Sequence, residues 1–95
     1  MRNNSFDSVF LDKAIQRGGL LLFNHADAMQ LINLCKDKNI PILGIDAFFI
    51  SDGYTHPVME HSADFSRTAL IDSFECASQF LESRKDLDLV YEIIY

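Results

Sequence analysis

The sequence predicts an α/β fold: one small layered domain over residues 1–95, with about three helices packed on a short, mixed and partly parallel sheet of three to four strands. Three observations carry this. Residues 40–50, IPILGIDAFFI, are apolar on both alternating faces apart from Asp46, the pattern of a strand covered on both sides. Two stretches repeat apolar residues at helical spacing: Ala28, Leu31, Ile32 and Cys35, then Leu70, Phe74, Ala77 and Leu81. A hydrophobic fraction of 48% with eight phenylalanines supplies a packed core, and a chain of this length buries roughly 60–65% of its unfolded surface.

Taken in order, Ser5 or Asp7 can cap a first helix whose stripe is Phe6, Val9, Phe10 and Ala14. Gly18 and Gly19 end it, since glycine takes the left-handed C-terminal cap cheaply. Leu20 to Phe23 is short and apolar, as in a buried strand. Asn24 caps a second helix, with Asp27 in the first turn and Lys36 and Lys38 near the end, all favoured by the helix dipole. His25, at that helix start, reads as solvated or capping. Asn39 and Pro41 stop the helix and open the central strand, Ile42 to Phe49. Strand, helix, strand then reads as a parallel unit with a right-handed crossover.

Ser51-Asp52-Gly53 is a three-residue hairpin signal. Tyr54 to Val58 returns antiparallel to Phe48–Ile50, and Pro57 confines that return to an edge. Asp64 or Ser66 caps a third helix, which ends near Arg84 and Lys85. Leu87 to Tyr95 alternates as a strand with one half-polar face.

Charge is unevenly spread. Residues 1–45 hold five bases and four acids, net +1; residues 46–95 hold three bases and ten acids, net −7. An acidic half repels phosphate, which disfavours nucleic acid, and it steers basic proteins inward. No apolar run is long enough for a membrane helix, and the first ten residues lack the apolar core of a signal peptide, so a cytoplasmic protein is expected. Cys35 and Cys76 read as buried, reduced and poorly reactive thiols.

No catalytic signature is present: no GxGxxG, no phosphate loop, no GxSxG and no CxxC. HPVMEH approaches the inverted zinc-protease pattern, but His56 and His61 are one residue too far apart and Pro57 interrupts them. No metal and no cofactor is expected. Asp46, in an apolar strand, must be hydrogen-bonded or paired, or else stand at the mouth of the sheet, where open α/β sheets place ligands. A small hydrolase or ligand-binding enzyme using Asp46, His56, Glu60 and His61 is the second function class; a regulatory interaction domain is a third.

The ordered set LGID-aromatic strand, aromatic-polar-Pro loop, acidic step from Glu60 to Ser66 and FLESRKDLDLVYEIIY ending resembles the small cytoplasmic immunity proteins of bacterial polymorphic toxin and contact-dependent growth inhibition systems. The likeness covers roughly Ala26 to Glu92. It implies a non-enzymatic inhibitor that neutralises a cognate toxin domain, often a basic nuclease, with no nucleic acid or membrane as partner. Within that frame the residues expected to meet the toxin are Asp52, Tyr54, Glu60 and Asp64, where tyrosine beside acids offers anchor area and charge steering, with Asp72 and Glu75 on the third helix as the competing surface.

Overall fold

The computed structural model describes residues 13–17 and 19–95. Among them are six strands and two helices: β1 (Ile15–Arg17), β2 (Leu20–Leu22), α1 (His25–Asp37), β3 (Gly44–Ser51), β4 (Tyr54–Pro57), β5 (Ala63–Asp64), α2 (Leu70–Glu82) and β6 (Val90–Ile94), with a 3-10 turn at Met59–His61. The expected first helix falls largely outside the described residues. Its C-terminal part is corrected: Ile15–Arg17 is a strand that pairs antiparallel with β2.

Helix α1 forms for local reasons. The Asn24 side chain accepts the Asp27 N–H at 2.8 Å, meeting one of the free donors of the first turn. Ala28, Leu31, Ile32 and Cys35 are buried as one stripe. At the far end Asn39 adopts φ 56°, while Ile40 N–H reaches Cys35 O and Asn39 N–H reaches Lys36 O. This is a Schellman stop with asparagine at the left-handed position.

The sheet departs from expectation. Strand β3 is interior, but β4, β5 and β6 all pair with it antiparallel. Strand β6 enters between β2 and β3: Phe23 and Tyr91 exchange two backbone hydrogen bonds of 2.8 Å, and Tyr91 lies opposite Ala47. Strands β2 and β3 therefore run the same way without touching as partners. The expected parallel pair is absent among the described residues, and the partly parallel sheet with three helices is replaced by two helices on antiparallel strands. The physical reason lies in β6. Tyr91, Glu92 and Ile93 are all buried, so this strand belongs in the sheet interior and displaces the direct β2–β3 pairing. It is also shorter than expected, because Leu87 to Leu89 stay in the loop.

The core lies between the helices and one sheet face: Ile45, Ala47, Tyr91 and Ile93 meet Ala28, Leu31, Ile32, Cys35, Phe74, Ala77 and Leu81. Helix α2 begins at Ala69 with no side-chain cap. Neither expected cap, Asp64 or Ser66, holds it: Asp64 instead accepts Ser66 N–H in a local turn at 2.8 Å. Ser73 is buried among the apolar residues of α2, and its hydroxyl accepts Ile42 N–H at 3.4 Å, tying the helix to the start of the central strand. Cys35 is buried, whereas Cys76 is exposed; the expectation of two buried thiols holds for the first alone. Among the described residues no helix is long and apolar enough to cross a membrane.

Candidate functional site: a projecting hairpin and its acidic edge

Strands β3 and β4 close around Asp52-Gly53, with Ser51 opposite Tyr54. Asp52 has φ 54° and Gly53 φ 80°, so the loop is a two-residue type I′ turn and not the expected three-residue one. Its backbone twist matches that of the strands, which makes a well-defined hairpin. Alternation along β3 puts Phe49 and Ser51 on the same face as Ile45 and Ala47. Ala47 is fully buried under the helices, yet Phe49, two residues on, is 42% exposed. The hairpin therefore runs out beyond the helical layer. On that open face Phe49 stacks with His56, ring centroids 4.6 Å apart and planes at 17°, and Tyr54 beside them is 70% exposed.

Beyond Pro57 the return strand breaks. Phe48 lies opposite Pro57 and Ile45 opposite Ala63, so a three-residue step on β3 is matched by six on the return, a three-residue insertion. The 3-10 turn Met59–His61 takes up the excess. Ser62 mends the ladder. Its hydroxyl accepts Ala47 N–H at 3.1 Å and donates to Val58 O at 3.2 Å, standing between two groups that would otherwise pair directly. Val58 N–H still reaches Ala47 O. Strand β4 has β3 as its one neighbour among the described strands. In an antiparallel ladder, backbone groups turn alternately toward and away from the partner. With Val58 facing inward, Thr55 and Pro57 face outward, and proline has no N–H.

The turn is docked on the C-terminal end of α2. Arg84 Nε donates to His61 Nδ1 at 3.2 Å, and its Nη1 donates to Phe80 O and Ser83 Oγ. The guanidinium lies 3.7 Å over the Phe80 ring. His25, from the start of α1, bonds Leu81 O through Nε2 at 2.7 Å; a carbonyl only accepts, so Nε2 carries the proton. His25 is thus neither solvated nor a cap of its own helix: it adds a second bond to a carbonyl at the end of the other one, which already accepts Arg84 N–H at 2.9 Å. Nearby, the Tyr91 hydroxyl is buried with no hydrogen-bond partner among the described residues. Burial pushes this phenol above its ordinary value of 10.0, against a smaller opposing pull from the Arg84 charge.

The sequence-predicted contact residues are distributed as follows. Asp52, Tyr54, Glu60 and Asp64 are all exposed. They lie along one sheet edge: Asp52 and Tyr54 at the tip, Glu60 in the inserted turn, Asp64 opposite Gly44 at the far end. That edge runs about 25 Å at ~3.3 Å per strand residue, within the span of one ordinary interface of ~800 Å² per partner. The backbone N–H of Ser66, then its hydroxyl, hold the Asp64 carboxyl below its usual 3.8. Asp72 and Glu75 are exposed on α2; Glu75 lines a groove of about 430 Å³ with Asn33, Lys36, Phe74 and Ser78.

The residues of the enzymatic reading are not brought together. Asp46 lies opposite Glu92 on the sheet face turned from the helices, while His56 stands on the other face with Phe49 and His61 is held by Arg84. Asp46 is half-buried and tied to no arginine among the described residues. No group of three or more His, Cys, Asp or Glu among those residues is placed to hold a metal ion. Sequence reasoning missed Phe49, Met59 and Arg84. Phe49 was read as part of a covered apolar strand face, but it lies beyond the helices and is 42% exposed. Met59, 77% exposed, carried no signal beyond composition, and Arg84 was placed at the helix end by its charge without any sign that it would hold His61.

Comparison with known proteins finds no family that matches the chain, no matching curated protein and no matching solved structure.

Proposed function

We propose that this chain is an immunity-type inhibitor that binds a basic toxin domain, of nuclease character, through the hairpin and the acidic edge below it, and that it acts in the cytoplasm without catalysis. One observation carries the reading. A type I′ hairpin rooted in the central strand holds Phe49 and Tyr54 outside the helical layer, on a stretch with no lysine or arginine between Lys38 and Arg67. Aromatic anchors set among carboxylates suit a cationic protein surface: the acids speed encounter and set its salt dependence, and the anchors slow release.

The test is coexpression with the product of the neighbouring upstream gene, followed by pull-down and affinity measurement at two salt concentrations. Asp52→Lys with Glu60→Lys is expected to weaken capture about tenfold or more, and Asp72→Lys with Glu75→Lys much less. A loss confined to the helix pair moves the interface to the groove side of α2. No capture of any basic partner removes the reading.

A further inference from the structure

We propose that the open face formed by Phe49, His56 and Tyr54 receives an arginine side chain of the basic protein partner; this rests on the inhibitor reading above. The geometry comes first. All three rings stand on one face of the β3–β4 hairpin, since Phe49 faces His56 and Ser51 faces Tyr54 across the ladder. Phe49 and His56 are already stacked flat, so they present a rigid platform with little rotamer freedom left to lose on binding. Tyr54 stands next along the same face of β4, and Asp52 is in the turn beside it.

The occupant follows from chemistry. An aliphatic partner would cover the rings but would also strip water from the neighbouring carboxylate without pairing it. A second copy of this chain would bring its own net charge of −6 against the same acids, and a phosphate-bearing partner would be repelled likewise. A cation satisfies both features. Between the two protein cations, the planar and weakly hydrated guanidinium stacks on ring faces and forks onto a carboxylate, while the ammonium acts as a hydrated point charge. The molecule contains its own instance: Arg84 lies flat over Phe80. That guanidinium cannot serve the hairpin face, since it is engaged with His61, Phe80 O and Ser83.

The experiment titrates the isotopically labelled full chain with an octa-arginine and an octa-lysine peptide at physiological salt, followed by NMR. The expected result is a roughly three- to fivefold preference for octa-arginine, with the largest shifts on the rings of Phe49, Tyr54 and His56. Tyr54→Leu keeps the apolar area but removes the π-face, and is expected to abolish the preference while leaving the remaining spectrum unchanged. Equal affinity for the two peptides overturns the proposal, as do shifts centred on Asp72 and Glu75. The two readings fail separately. If the toxin is captured as tightly by the Phe49→Ala, Tyr54→Leu double variant as by the unaltered chain, the arginine site is wrong and the inhibitor stands. If the peptide preference maps to the hairpin but no basic partner is captured, the arginine site stands and the inhibitor reading is wrong.

Discussion

The two flanks of β3 make opposite use of the same strand. On one side β6 pairs without interruption, from Gly44 opposite Ile94 to Phe48 opposite Val90, and it is buried. On the other side the chain pairs, breaks, bridges the break with a hydroxyl, and pairs again. The first flank carries Tyr91 and Ile93 into the core; the second carries Asp52, Tyr54, Glu60 and Asp64 to solvent. The difference teaches how a small domain can keep a regular, buried base under an irregular, exposed edge. Insertions are tolerated where backbone groups can still find partners, and only the exposed flank meets that condition.

The sharpest way to break this division is to truncate the buried flank. Ile93→Ala removes a side chain that is 2% exposed, and is expected to cost about 2–5 kcal/mol in urea unfolding. A cost below about 1 kcal/mol would mean that β6 is not the stabilising side. Next comes the mended break. Ser62→Ala leaves Ala47 N–H without its acceptor, while Val58 O keeps the His61 N–H; it is expected to cost about 1–3 kcal/mol, with faster amide exchange at Ala47 and little change at Tyr91. Unchanged exchange at Ala47 would show that the hydroxyl is not the rung it resembles.

The smallest effect concerns Asp64. Its folded carboxyl is held low by Ser66, so its contribution is present above the unfolded value of 3.8 and is lost as pH falls through the folded one. Carboxyl NMR should find its midpoint below 3.8, rising toward that value if the 64–66 turn is opened. A midpoint at or above 3.8 in the intact chain would mean the turn does not form in solution.

What could be read from residues alone divides along the same line of local against distant. Helix α1 was legible throughout because its cap, stripe and stop are all decided within a turn of the residues concerned: Asn24, then Ala28 to Cys35, then Asn39. The β3–β4 pairing was legible because a turn residue at Gly53 announces it. The place of β6 was not, since alternation says which face a residue takes but not which strand lies alongside. The bond from His25 to Leu81 spans 56 positions, and nothing near His25 hints at it. Asp64 was misjudged for a subtler reason: the same side-chain oxygen that can cap a helix can also close a two-residue turn, and the helix began five residues later than that cap would require. Cys76 was misplaced by its apolar neighbours in sequence, although it is one residue off the stripe defined by Phe74, Ala77 and Leu81, and helical periodicity would have put it on the surface.

Pro57 has a consequence outside any interface. A free sheet margin is a template on which another extended chain can grow, and repeated growth ends in insoluble aggregate. Along β4 the outward positions are Thr55 and Pro57, so this margin offers a newcomer a single N–H donor before the inserted turn bends the backbone out of line. The hairpin thus displays its aromatic rings on an edge that is poorly suited to strand-by-strand growth.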